Sequence, residues 1–94
     1  MADAWVYMLT NRPNGTLYVG VTDNLARRVW EHREGWSRDL PRYGLKRLVY
    51  AEHHGDIRLA RQREQNIKHY PRAWKVRLIL VNNRNWEDLY ERLV

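Results

Sequence analysis

Ala4 to Asn11 alternates like a strand, with Ala4, Val6 and Met8 on one side and Trp5, Tyr7 and Leu9 on the other. Leu17 to Thr22 repeats the pattern, setting Leu17, Val19 and Val21 against Tyr18, Gly20 and Thr22. Between them, Pro13-Asn14-Gly15 carries the Asn-Gly pair that favours a hairpin. A turn centred on Asn14-Gly15 sets Tyr18 opposite Asn11 and Tyr7 opposite Thr22. Ala4, Val6, Met8, Leu17, Val19 and Val21 then share an aliphatic face, and Trp5, Tyr7, Tyr18, Gly20 and Thr22 the other. A slip of one residue mixes these sets, so the pattern itself argues for the register. Gly20 weakens the middle of its strand and marks a close approach by backbone or ligand.

After Asp23-Asn24, a suitable N-cap pair, the period becomes helical. At about 100° per residue, Leu25, Ala26, Val29 and Trp30 form one apolar arc. Arg28 and His32, four apart, fall together at its edge, while Arg27 and Glu31 face away. A strand bearing a tyrosine thus feeds a helix that presents Arg and His beside its buried face, which describes the wall of a site. Gly35 to Gly44 reads as a loop, and Leu45 to Glu52, around Leu48-Val49-Tyr50, as a third strand. Asp56 caps a second helix from Ile57 to about Tyr70, ended by Pro71. Trp74 to Asn82 fits a strand through Val76, Leu78 and Leu80, and a helix through Val76, Ile79 and Leu80. Trp86 to Leu93 has Leu89 and Leu93 four apart and reads as a short final helix. In the second helix Glu64 lies inside the stripe formed by Ile57, Ala60 and Ile67. A carboxylate there requires a partner, and Lys68 four residues on, or water at the rim, is the ordinary one.

With 94 residues the chain is read as a single domain, residues 1–94, with a modest core. Cysteine is absent, which excludes disulfides and thiolate metal sites. The longest aliphatic run, Leu78 to Val81, is far short of the ~20 residues that span a bilayer. The N-terminus lacks a basic start followed by an apolar run, so a cytoplasmic protein with no membrane partner is expected. Seventeen Lys and Arg against 11 Asp and Glu give a net charge of +6. Most of that excess is arginine, whose planar fork suits phosphate, so nucleic acid is the first partner class to consider. A soluble domain that is merely basic is the competing reading. Five Trp and six Tyr with no Phe bring polar handles as well as bulk, which favours some of them lining a surface or cleft.

Six elements in order resemble the GIY-YIG endonuclease superfamily, specifically its small stand-alone bacterial domains of the YhbQ-like kind. Trp5-Val6-Tyr7 stands where the first motif belongs and Tyr18-Val19-Gly20 where the second belongs. Asp23 to His32 resembles the helix with the catalytic Arg and His or Tyr. Leu48 to Glu52 resembles the third strand, and Ala60 to Lys68 the helix with the metal-binding Glu. Asn83-Arg84-Asn85-Trp86-Glu87-Asp88-Leu89 resembles the Asn-Pro-x-Trp-x-Asp-Leu close of the stand-alone subgroup. Trp5 replaces the first glycine of the founding motif. Arg84 replaces the proline after Asn83, which leaves the backbone there less fixed. The implied fold is α+β, a three-stranded antiparallel sheet flanked by helices in the order β-β-α-β-α-α with a short C-terminal helix.

The resemblance also implies Mg²⁺-dependent hydrolysis of phosphodiester bonds in DNA, with Mn²⁺ as a substitute, directed by structure rather than sequence and suited to repair, recombination or processing. Glu64 holds the metal, Arg28 stabilises charge at phosphorus, and Tyr18 takes a proton from water. Tyr7 and His32 orient water or phosphate, or supply an alternative base. Arg33, Arg38, Arg42, Lys46 and Asn83 are candidate substrate contacts that position the backbone. Each residue has a plainer reading: Tyr18 as a satisfied strand tyrosine, Arg28 on a solvated face, His32 capping its helix, Asn83 serving a turn. The alternative to an enzyme is a DNA- or RNA-binding module with little turnover. A structural or protein-interaction role is the third possibility.

Overall fold

The computed structural model describes residues 3–35 and 44–93. Arg38 and Arg42 lie outside the described residues. Strands β1 (Ala4–Thr10) and β2 (Leu17–Thr22) form a hairpin, followed by helix α1 (Leu25–Arg33), strand β3 (Arg47–His54), helices α2 (Ile57–Lys68) and α3 (Arg72–Asn82), and a closing 3-10 helix (Leu89–Leu93). The sheet is antiparallel with order β2-β1-β3, so β1 is its central strand. This is the expected α+β architecture. Within Trp74 to Asn82, helical spacing wins over alternation. Ile79 is buried and Val76 half-buried, whereas Leu80 and Val81 stay exposed.

Each face of the sheet has its own core. Ala4, Val6, Met8 and Val19 pack against Ala60 and Ile67 of α2, Ile79 of α3 and Trp86. Tyr7, Leu9 and Leu48 pack on the other side against Leu25 and Val29 of α1, with Leu89 and Tyr90 at the margin. The two faces are those the alternation predicts. The hairpin register, however, is two residues away from the expected one. Tyr7 pairs with Gly20 and Leu9 with Tyr18. The turn centres on Pro13-Asn14 rather than Asn14-Gly15: Gly15 N–H donates to the Arg12 carbonyl at 2.9 Å, and Asn14 takes a positive φ of 58°. Proline with its fixed φ suits the first central position of such a turn, and asparagine tolerates the left-handed second one. A shift of two preserves which residues share a face, so the face assignment survives.

A bulge in the β1–β3 pairing, between Met8 and Leu9, turns both Val49 and Tyr50 toward the aliphatic core. Beyond it, Glu52 pairs with Val6 and His54 with Ala4, which puts both acid and imidazole under α2. The final helix is shorter than expected. Trp86 has φ 55° and closes a turn on the Asn83 carbonyl at 3.2 Å, so regular helix cannot run through it. Asp88 then accepts from the Leu48 N–H at 3.1 Å, covering part of the β3 edge.

Candidate functional site

Two cross-strand neighbours begin the site. Gly20 lies opposite Tyr7, and a Cβ on Gly20 would stand 2.6 Å from both the Tyr7 Cζ and hydroxyl. The glycine is therefore the space into which the Tyr7 ring folds. Helix α1, started by the Asn24 side chain accepting from the Arg27 N–H, brings His32 over the same face. Its buried side is Leu25, Val29 and His32, while Trp30 turns outward at 43% exposure. The expected apolar arc is thus rotated toward Arg28 and His32, because the aromatic floor accepts the imidazole. The Tyr7 hydroxyl lies 3.0 Å from His32 Nε2, both side chains being buried. Tyr18 is half-buried, its ring centroid 5.6 Å from that of His32 and 6.2 Å from that of Tyr7.

Burial, reinforced by the adjacent Tyr18, pushes the Tyr7 phenol well above its ordinary value, and Arg28 only partly opposes this. The Tyr7 hydroxyl is held between His32 and Arg28. Burial works against the charge on Arg28, yet the Tyr7 hydroxyl and Glu31 outweigh it and keep the guanidinium charged. Arg28 NH1 also lies 3.4 Å from Glu31 Oε1. Arg28 in turn lines an open cleft of about 620 Å³ between α1 and α2, together with Thr22, Asp23, Arg27, Glu31 and Arg61. A hydroxyl-bearing aromatic cluster thus opens through one guanidinium into a cleft lined by two more.

Glu64 does not touch that cluster. It sits on α2, which covers the aliphatic face, and is buried at 7% exposure. Lys68 Nζ is 3.1 Å from its Oε2 and Gln65 Nε2 donates to its Oε1 at 3.1 Å. The ordinary partner for a carboxylate in that stripe is therefore the one it has. Arg61, one turn earlier on the same side of α2, lines the cleft, so Glu64 lies next along the helix from the cleft wall. Among the described residues no three acids, histidines or cysteines gather. Any divalent ion held by Glu64 has that single carboxylate, with water and phosphate completing its shell, which is a donor set that Mg²⁺ accepts.

Three other candidates have different work. Asn83 is buried, its amide donating to the Val49 and Glu87 carbonyls at 3.1 and 2.9 Å while its Oδ1 accepts from the Glu87 N–H at 2.8 Å. Asn83 thus fixes the C-terminal segment, and the proline that Arg84 replaces is not needed to hold it. Both of its amide hydrogens are used within the protein. Arg33 binds Asp88 at 2.6 Å, donates to the Lys46 carbonyl at 3.3 Å and lies over the Tyr90 ring at 4.6 Å. Lys46 is exposed in a separate hollow with Arg33, Arg47 and Asp88, away from the cleft between α1 and α2.

The structure adds Arg27, Glu31 and Arg61 to the site; the signal for Arg61 was its place three residues before Glu64 on one helix. It also shows a second polar cluster, on β3 and α2. Tyr50 donates to Glu52 Oε1, His54 Nε2 lies 2.6 Å from Glu52 Oε2, and Arg63 Nε donates to both oxygens at 3.3 and 3.0 Å. Arg63 also donates to the Tyr70 hydroxyl at 3.2 Å.

Known proteins resemble this chain in sequence and fold. Residues 3–77 match the family model described as the GIY-YIG catalytic domain. A UPF0213 protein of Natronomonas pharaonis is 40% identical over 79 residues, covering 83% of this chain and 92% of that one. One from Photorhabdus laumondii is 34% identical over 77 residues, 81% of this chain and 74% of its own. The UPF0213 protein YhbQ of Salmonella typhimurium is 33% identical over 76 residues, covering 80% and 76%. The solution NMR structure of a UPF0213 protein from Bacillus halodurans superposes with a TM-score of 0.57 at 26% identity, covering 92% of each chain. A sheet of the same kind, the paired tyrosines facing α1 and the family match over most of the length lead to one conclusion: the chain belongs to the GIY-YIG family.

Proposed function

We propose that this domain is a Mg²⁺-dependent endonuclease that hydrolyses phosphodiester bonds in DNA and selects its substrate by structure rather than sequence. The observation that carries this reading is the gathering of Tyr7, Tyr18, Arg28 and His32 on one face, beside an arginine-lined cleft. A phosphate entering the cleft meets Arg28, whose fork matches two oxygens and stabilises the charge that builds at phosphorus. Tyr7, protonated and anchored on His32, keeps Arg28 and the imidazole in place. Tyr18, half-buried, is the phenol with access to water, and as the phenolate, its own proton having gone to solvent, it takes the proton of the attacking nucleophile. Glu64 is the residue to hold the metal, Mn²⁺ being an acceptable substitute, once Lys68 swings into solvent. When bound, Mg²⁺ polarises the scissile phosphate and stabilises the leaving oxygen. Repair, recombination or processing of branched or nicked DNA is the setting this chemistry suits.

A second reading is favoured by one observation. The Glu64 carboxylate is already neutralised by Lys68, which fits a module that binds DNA or RNA with little turnover. Incubating supercoiled plasmid with the protein and Mg²⁺ separates the two. Nicking that is lost in Glu64→Ala supports the enzyme. Equal nicking by both proteins, or none, sinks it, and salt-sensitive binding retained with EDTA then favours the binding module.

A further inference from the structure

The cleft between α1 and α2 is lined by three guanidiniums, more than the one that meets the scissile phosphate. Arg27 and Arg28 line it from α1 and Arg61 from α2. Arg28 turns inward to the Tyr7 hydroxyl, whereas the Arg27 side chain is 75% exposed and turns outward. Two carboxylates, Asp23 and Glu31, line the same cleft. Glu31 is shared: its Oε2 lies 3.4 Å from Arg27 Nε and its Oε1 3.4 Å from Arg28 NH1. Strong charge-assisted hydrogen bonds are about 2.7–2.9 Å, so both contacts are longer than the strong ones.

The arginines of α2 divide in the same way. Arg58 is clamped to Asp56 at 2.9 Å, and Arg63 grips Glu52. Arg61 is exposed and, among the described residues, makes no hydrogen bond or ion pair. It is the guanidinium that α2 offers to the cleft. We propose that Arg27 and Arg61 seat a second backbone phosphate of the nucleic acid, outside the one met by Arg28, and that Glu31 is the anion this phosphate displaces. Glu31 holds the two α1 guanidiniums apart from solvent anions in the free protein, and the incoming strand takes its place. The seat rests on the nucleic-acid reading of the same site, and it names where the strand leaves the reaction centre: across α1 toward α2, at the end of β2.

The test is binding of a fluorescent DNA duplex in EDTA, where cleavage cannot occur, with Kd followed against salt. Each phosphate contact contributes about 0.9 to the slope of log affinity against log salt on duplex DNA, so Arg61→Ala is expected to flatten that slope by about 0.9. Arg77→Ala, an exposed arginine of α3 outside the cleft, is the charge-matched control and is expected to leave the slope near that of the wild type. Glu31→Gln is expected to tighten binding. A slope for Arg61→Ala equal to that of the control, or weaker binding by Glu31→Gln, overturns the seat while leaving the nucleic-acid reading intact. Absence of salt-dependent binding by the wild-type protein overturns both.

Discussion

Two polar clusters occupy opposite faces of the same small sheet. Under α2, Glu52 accepts from Tyr50 and Arg63 and contacts His54, and Arg63 continues to Tyr70. One carboxylate meets one guanidinium there, and both carboxylate oxygens are occupied. Under α1, two phenols, an imidazole and a guanidinium gather, with Glu31 at the rim beside Arg28. The first cluster is closed and balanced, so its work is to tie α2 to β3. The second presents its guanidinium to the cleft between α1 and α2. Access to an open cleft, rather than the number of polar residues, distinguishes site from structure.

The comparison is broken most severely by removing its guanidiniums and acids in turn. Arg28→Ala is expected to lower Mg²⁺-supported cleavage of labelled DNA about 10²–10³-fold, the usual loss when one group that stabilises transition-state charge is deleted. Its urea midpoint should barely move. Glu52→Ala is expected to do the reverse, costing about 1–3 kcal/mol of stability because the half-buried Arg63 loses its acceptor. Intrinsic cleavage per folded molecule should stay within severalfold, as read from activity normalised to the folded fraction. Gly20→Ala spans both measurements. Its new Cβ presses on the Tyr7 ring, so we expect about 1–3 kcal/mol of destabilisation together with reduced cleavage.

The smallest expected effects are in pH. Burial alone would raise the Glu52 carboxyl, but Tyr50, His54 and Arg63 outweigh it and hold it below the ordinary carboxylate range. Its contribution to stability is then complete above the unfolded value of about 4.3 and is lost as pH falls through the lower folded one. Burial and Glu52 push the Tyr50 phenol up to about 12. That contribution is complete below the usual phenol value of about 10 and disappears as pH rises through 12. Denaturant titrations across pH should show Glu52→Gln with a flatter acid limb and Tyr50→Phe with a flatter alkaline one.

Much of this was legible in the chain. Alternation in β1 and β2 separates the aliphatic face from the face of Tyr7 and Tyr18, since period two admits one division only. Asn24 and Asp56 begin their helices where capping chemistry places them. Gly20 signalled a close approach, and the neighbour is Tyr7. Register was not legible, because Pro13-Asn14 and Asn14-Gly15 both make acceptable turns and only the closed hairpin chooses. The Glu52 cluster was hidden for another reason: a bulge at Val49 and Tyr50 decides which face the following residues occupy, and no periodicity announces it. Within the site, Tyr7, Tyr18, Arg28 and His32 come together as expected. Glu64 remains one helix away, paired with Lys68, because a sequence shows the stripe a carboxylate lies in and not the flank toward which it leans.

The central claim is that the aromatic face beneath α1 performs the chemistry, and Tyr18→Phe tests it by removing a single oxygen from a half-buried ring. Cleavage of a labelled DNA with Mg²⁺ should fall at least about a hundredfold, as general-base deletion does, with thermal unfolding unchanged. Cleavage at the wild-type rate by a folded Tyr18→Phe protein contradicts the account.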